Sequence, residues 1–259
     1  MSVLAIGAAS CTTAAPAPDP NLLSGTAVDL SHDYSDQTVF WPTAEGFRLE
    51  KVADGMTPQG YYYAANTFAT AEHGGTHLDA PVHFAQGRWS VDQIPLEQLI
   101  GEAAVIDVSA KCATQPDYQV TVGDLEAWER EHGSLNGLIV LIRTDFSKRW
   151  PDAARYLGTA ERGEAAVAKL HFPGVHPDAA KWLVGNRTVK AVGIDTASID
   201  YGQSMLFETH RVLYERNIPG LENVANLDRL PARGATVIAL PMKIKGGSGA
   251  PLRAIALVP

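Results

Sequence analysis

The sequence predicts an α/β fold in one large domain, and three observations predict it. Short apolar runs from Ala103 to Val108, Leu138 to Arg143 and Ala191 to Ile194 suit buried strands. Helix-start signals alternate with them, at Pro95, at the box Thr121-Val-Gly-Asp124 and at Pro177. The 259 residues, 46% of them hydrophobic, can bury one sizeable core and fit one large domain better than two.

Taken in order, residues 1–22 read as a flexible tail or signal remnant and residues 23–259 as the domain. The apolar start followed by Ser10-Cys11 resembles the end of a lipoprotein signal without a basic n-region, which leaves bacterial cytoplasm and periplasm both open. No segment is long enough to span a bilayer. Thr26 to Leu30 is the first strand, and His32, Tyr34, Phe40 and Trp41 follow in a loop closed by Pro42. Tyr61, Tyr62 and Tyr63 lead into a strand over Asn66 to Thr70, which places one or more tyrosines at a pocket. Gly87-Arg88 is a turn and Pro95 to Ile100 a short helix. Thr121 caps a helix running through Trp128 that Gly133 closes, with His132 in the last turn complementing its dipole.

Thr144-Asp145 ends the central strand, as polar function or as a cap. Residues 146–176 form an extra region whose His171 and His176 read as exposed loop residues. Pro177 to Val184 is a helix. Asp195, after the strand Ala191 to Ile194, either orients a ligand histidine or caps a turn, and Asp200-Tyr201-Gly202 makes a turn. His210 opens a helical run to Glu215, and Ala235 to Leu240 and Leu252 to Val258 are strands around Lys245-Gly-Gly-Ser-Gly249. That glycine loop lacks P-loop spacing and instead lets backbone approach a pocket closely.

A net charge of −8 without a basic cluster disfavours a nucleic-acid surface. Two cysteines, Cys11 and Cys112, provide neither a disulfide framework nor a thiolate metal site. No Gly-x-Ser-x-Gly elbow occurs, so covalent catalysis has no candidate. What stands out is His73-Gly-Gly-Thr-His77-Leu-Asp79-Ala-Pro-Val-His83-Phe84. Three imidazoles and a carboxylate within eleven residues are donors for a borderline transition metal. They fall on odd positions, so extended backbone sends them to one face while Leu78, Ala80, Val82 and Phe84 take the other. A flat strand would spread His73 and His83 about 33 Å apart, so the segment must curl, with Gly74-Gly75 and Pro81 as the bending points. His73, His77 and Asp79 are the expected metal ligands.

This motif resembles the signature of the metal-dependent cyclase family, of isatin hydrolase and bacterial kynurenine formamidase type. The likeness extends over Gly193-Ile-Asp-Thr196, His210-Arg211, Glu222-Asn223 and the Gly-Gly-Ser-Gly segment. It implies a swivelling β/β/α fold, a homodimer or higher oligomer, and manganese or zinc as the ion. It also implies a second metal site or hydrogen-bonding pair at His210 and Glu222, and an aryl-binding face at Trp41. The expected reaction is attack of a metal-bound hydroxide on the cyclic amide of isatin, with His83 as proton shuttle. The longer central region tilts the choice toward isatin, with N-formylkynurenine hydrolysis as the alternative and a non-catalytic metal-binding protein as the competing class.

Overall fold

The computed structural model describes residues 25–259, so the reading of residues 1–22 and of Cys11 lies outside the described residues. Strands follow in chain order as β1 (Thr26–Asp29), β2 (Arg48–Met56), β3 (Tyr62–Ala69), β4 (His77–Asp79), β5 (Ile100–Asp107), β6 (Gln119–Val120) and β7 (Ile139–Arg143). Then come β8 (Gly174–Val175), β9 (Ala191–Ile194), β10 (Gly220–Glu222), β11 (Arg233–Ile238), β12 (Gly249–Pro251) and β13 (Ile255–Val258). Nine form one sheet in the order β1-β13-β11-β5-β7-β9-β10-β4-β12. Pairing is parallel from β5 through β7 and β9 to β10, and antiparallel elsewhere.

Parallel strands are covered on both faces, which is why β7 and β9 read as unbroken apolar runs rather than as alternation. The helices Val122–His132 and Pro177–Asn186 cover one face through Leu125, Trp128, Ala179, Ala180 and Leu183. On the other face Val105, Ile139 and Leu141 pack with Val28, Leu221 and Val237. The first of these helices begins where its box lies. Thr121 Oγ1 accepts the Asp124 N–H, the Asp124 carboxylate accepts the Thr121 N–H, and Gly133 at φ 88° ends the helix.

The α/β class is as expected, but two local readings are corrected. Residues 43–60 carry a strand the sequence reading lacked: β2 pairs with β3 from Arg48 opposite Ala69 to Met56 opposite Tyr62, with a bulge at Val52. This hairpin stands apart from the main sheet. Tyr61, Tyr62 and Tyr63 are all more than half exposed on it, so none lines a pocket in the chain described. The run from Leu252 to Val258 is also not one strand. β12 ends at Pro251 and β13 begins at Ile255, so three residues connect the last strand of the sheet order with the second. Among the described residues no helix is long and apolar enough to cross a membrane.

One partly buried histidine makes stability depend on pH. His32 stacks on Trp150 with ring centroids 4.2 Å apart, and its Nε2 has no hydrogen-bond partner among the described residues. Burial lowers its pKa from 6.5 to about 4, against a smaller opposing pull from Asp33. The folded value lies below the unfolded one, so this contribution is fully present above pH 6.5 and is lost as pH falls through about 4. The loss amounts to at most about 3 kcal/mol. Urea unfolding is expected to weaken over that window less in His32→Phe, which keeps the stack and cannot titrate. Parallel pH curves for the two proteins would refute this.

Candidate functional site

β4 is hydrogen-bonded to β10 on one side and β12 on the other. Strand alternation puts His77 and Asp79 on one face and sends Leu78 into the core. The register sets Glu222 opposite His77 and Gly249 opposite Asp79, and directly paired residues share a face, so the Glu222 carboxylate arrives beside the imidazole. The chain reaches β4 through a bend that requires glycine. A Cβ at Gly74 would lie 2.0 Å from the Phe40 ring, and Gly75 has φ 59°. Past β4, the single 3-10 turn Pro81–His83 folds His83 back onto His73, with ring centroids 3.8 Å apart. The curl required by spacing is therefore present. Gly249 permits the close approach expected of the glycine loop, since a Cβ there would meet the His73 ring at 2.6 Å.

Asp79 is the hub of the cluster. Its Oδ1 lies 2.6 Å from His73 Nδ1 and 3.1 Å from His77 Nε2, and its Oδ2 lies 3.4 Å from His210 Nε2 and accepts the Tyr214 hydroxyl at 2.8 Å. Glu222 Oε2 is 3.4 Å from His77 Nε2, while its Oε1 is 3.1 Å from His210 Nε2 and accepts the Ile199 N–H. Two trios of donors are close enough to share an ion, His73 with Asp79 and His83, and His77 with Asp79 and Glu222. They share Asp79, and neither trio holds His73 and His77 together. Behind them, Ser248 Oγ lies 2.9 Å from His73 Nε2 and donates to Glu72, and Asp200 Oδ2 holds His210 Nδ1 at 2.5 Å.

The electrostatics favour a cation. Asp79, Asp200 and Glu222 are buried, and among the described residues no Lys or Arg pairs with them. Imidazoles alone offset that charge. Burial opposes protonation of His77, but Asp79 and Glu222 outweigh it and raise its pKa to about 9. Burial likewise opposes the His210 imidazolium, and Asp200, Asp79 and Glu222 hold its pKa well above the usual histidine value. Burial would raise the Asp79 pKa, yet His73, His210 and His77 keep it well below the carboxylate range. His83 goes the other way, to about 4, because burial and the neighbouring imidazoles outweigh Asp79. His77 Nε2 is moreover a buried nitrogen without a hydrogen-bond partner among the described residues, facing two carboxylates. Those residues fit a divalent ion.

A cavity of about 310 Å³ opens over this cluster, and Trp41, Phe84 and Phe207 give it aromatic walls. Phe84 and Phe207 have ring centroids 5.2 Å apart, and Trp41 and Phe207 6.3 Å. Trp41 thus lines the same cavity as His73, His77, Asp79, His83, His210 and Glu222. His171 pairs with Asp117 on the surface and His176 caps the helix at Pro177, so both lie outside it. Asp195 does not orient a histidine. Its carboxylate accepts the N–H and hydroxyl of Thr144 and the N–H of Asp145, which resolves that pair as a turn anchored to the neighbouring strand end. The orienting role falls to Asp200, which sequence reading took for a turn residue. Tyr214 was also missed, although it sits four residues after His210, the spacing of one helix face. Phe207 gave no sequence signal beyond apolarity; it holds a left-handed backbone at φ 47°.

A buried chain of hydrogen bonds links the extra region to the cluster. Tyr156 donates to Asn223 Oδ1 at 2.8 Å, Asn223 Nδ2 donates to the Gly75 carbonyl at 2.8 Å, and that carbonyl accepts His77 Nδ1–H at 3.0 Å. This fixes the tautomer that turns His77 Nε2 toward the carboxylates. Asn223 has φ 54°, which glycine adopts without strain, so Asn223→Gly deletes the side chain cleanly. Metal affinity in a chelator competition is expected to fall roughly 10- to 100-fold. Unchanged affinity would show that the Gly75 carbonyl holds the ring unaided.

The family model described as "Putative cyclase" matches residues 28–201. Isatin hydrolase from Roseibium aggregatum is 39% identical over 209 residues, covering 77% of this chain and 77% of that protein. Kynurenine formamidase from Salinibacter ruber is 28% identical over 233 residues, covering 88% of this chain and 95% of that one. The solved structure of isatin hydrolase A from Ralstonia solanacearum matches with a TM-score of 0.81 at 38% identity, over 90% of this chain and 92% of that one. The mixed α/β architecture is the one found in that structure.

Proposed function

Because the chain belongs to the cyclase family, we propose that it is a metal-dependent amidohydrolase that opens the cyclic amide of isatin to isatinate. The observation that carries this is the pair of donor trios sharing buried Asp79 at the floor of an aromatic-walled cavity. The likeness to isatin hydrolases supports the substrate. His73, His77 and Asp79 would hold the ion, and His210 and Glu222 would hold a second one or brace the first by hydrogen bonding. Manganese is the first choice and zinc the alternative, as the family resemblance implies; the ligand set of imidazoles and carboxylates suits both. When bound, the ion supplies Lewis acidity toward the amide carbonyl and makes water acidic enough to lose a proton near neutral pH.

The chain's own side chains supply the rest. Trp41, Phe84 and Phe207 grip the flat ring and exclude water from its faces. As the water oxygen adds to the amide carbon and the carbon–nitrogen bond breaks, one product end becomes a carboxylate and the nitrogen leaves as an aryl amine. His83, neutral near pH 7 at a pKa of about 4, accepts the proton of the attacking water and returns it to the departing nitrogen. A metal-storage role would need neither this imidazole nor the aromatic walls. The reading includes a homodimer, as the family resemblance implies.

The test is ultraviolet-monitored ring opening of isatin before chelation, after it, and after adding back manganese or zinc, with N-formylkynurenine in parallel. Metal-restored turnover that favours isatin is expected. The reverse preference would make the protein a formamidase, the second reading that the kynurenine formamidase relatives support. No turnover of either by the metal-loaded protein would overturn both.

A further inference from the structure

The donor cluster leaves residues 146–176 without a role of their own. The two histidines of this region lie outside the cavity, and Tyr156 reaches the cluster through Asn223. What the region does touch is the segment that carries Trp41. We propose that Arg162 is the positioning residue of the aryl-binding wall: by holding the carbonyls of Trp41 and Ala44 it keeps the indole against the cavity and sets affinity for the ring of the substrate. The inference rests on the amidohydrolase reading above.

On its own the Trp41 segment is thinly held. It is a turn closed by the Ala44 N–H on the Trp41 carbonyl at 3.0 Å, and Pro42 within it has no N–H to donate. One edge is tied to the ligand-bearing motif. The Gly75 N–H donates to the Val39 carbonyl at 3.2 Å, and Phe40 pairs with Gly74 in an antiparallel bridge. Among the described residues, the carbonyls of Trp41, Pro42 and Ala44 are bonded from outside the segment by Arg162 and Gly163 alone. The Gly163 N–H donates to Pro42 at 2.9 Å. Arg162 Nη1 donates to Trp41 at 3.3 Å, with the Phe40 carbonyl 3.5 Å away, and Nη2 donates to Ala44. These bonds go to carbonyls and none to a carboxylate, so the planar fork acts as a backbone clamp rather than as a surface ion pair.

The clamp has its own footing. Glu161 beside it pairs with Lys169 at 2.6 Å, Gly163 at φ 91° opens the helical turn Glu164–Val167, and that turn buries Ala166. The same region supplies the buried Phe172, whose ring meets the Trp41 indole edge-on with centroids 6.3 Å apart. One region thus grips Trp41 through both backbone and ring, and packs it beside Phe207 on the cavity wall. Arg162 is itself exposed, so its truncation opens no hole in the core and any loss is read at the cavity.

The experiment compares Arg162→Ala, Trp41→Ala and the double variant in the full chain. Isatin turnover and metal content are measured on the metal-loaded proteins, and isatin binding to the chelated proteins is followed by calorimetry. Arg162→Ala is expected to raise KM about 10-fold while kcat and metal content stay within about twofold, the pattern of lost ring binding without lost chemistry. On the Trp41→Ala background the same change is expected to have less than about a twofold effect, because no indole is left to position. An equal KM loss on both backgrounds would show that Arg162 acts elsewhere than through Trp41 and overturn the inference. An unchanged KM does the same, as does a fall in kcat with loss of metal, which would assign the region to the metal centre. Binding separates this inference from the reading it rests on. Isatin that binds in an Arg162-dependent way but is never opened overturns the amidohydrolase reading and leaves Arg162 in its role. Isatin opened with a KM indifferent to Arg162 does the reverse, and isatin that neither binds nor reacts overturns both.

Discussion

Asp79→Asn is expected to abolish metal binding and lower isatin turnover at least about a thousandfold. No other side chain in the site is engaged as fully. One oxygen faces His73 and His77, and the other faces His210 and accepts the Tyr214 hydroxyl. Asparagine keeps the shape but brings an NH₂ where one of these contacts needs an acceptor, and it removes the charge that both donor trios share. The loss falls on both trios at once, so neither can compensate. Elemental analysis of the purified variant beside isatin turnover checks it. A variant that holds its metal and turns over at the wild-type rate would remove Asp79 from the centre.

For His83→Ala the expected result is a fall in kcat of roughly 100- to 10,000-fold, with metal content and KM little changed. The side chain stacks on His73 and lines the cavity, with its pKa lowered to about 4. A neutral imidazole at that place is built to take and return a proton. The geometry also offers a competing outcome, because His83 stands in one trio with His73 and Asp79. If the variant loses its ion along with its activity, His83 is a ligand and the proton is carried by another group. Full activity would exclude both roles.

The motif from His73 to His83 was legible because its chemistry and its spacing agree: odd positions carry donors, and glycine and proline mark the bends. Glu222 and His210 lie far from it in sequence, and only the family likeness drew them in. Strand register explains the first, since β10 sets Glu222 opposite His77. Asp200 was read as a turn because a carboxylate ten residues before a helix histidine carries no local signature. Its hydrogen bond to His210 arises only once the chain folds back. The hairpin was half seen. β-branched and aromatic residues announced β3, but β2, with Gly55 and four charged residues and no buried face, offers no period for pattern reading to find.

The short connection between β12 and β13 constrains how the protein comes into being. Residues 252–254 can span only about 14 Å, whereas a flat row from β13 to β12 would be roughly 34 Å wide. The two ends of the sheet must therefore be drawn toward each other by curvature. The strand that closes them, β12, is also the one that flanks β4 and brings Gly249 against His73. During synthesis, residues 73–83 emerge long before residues 249–251 are made. A ribosome-bound chain thus carries its histidines without the wall that holds them, and the centre can be metallated in its final form only after that late strand has left the exit tunnel.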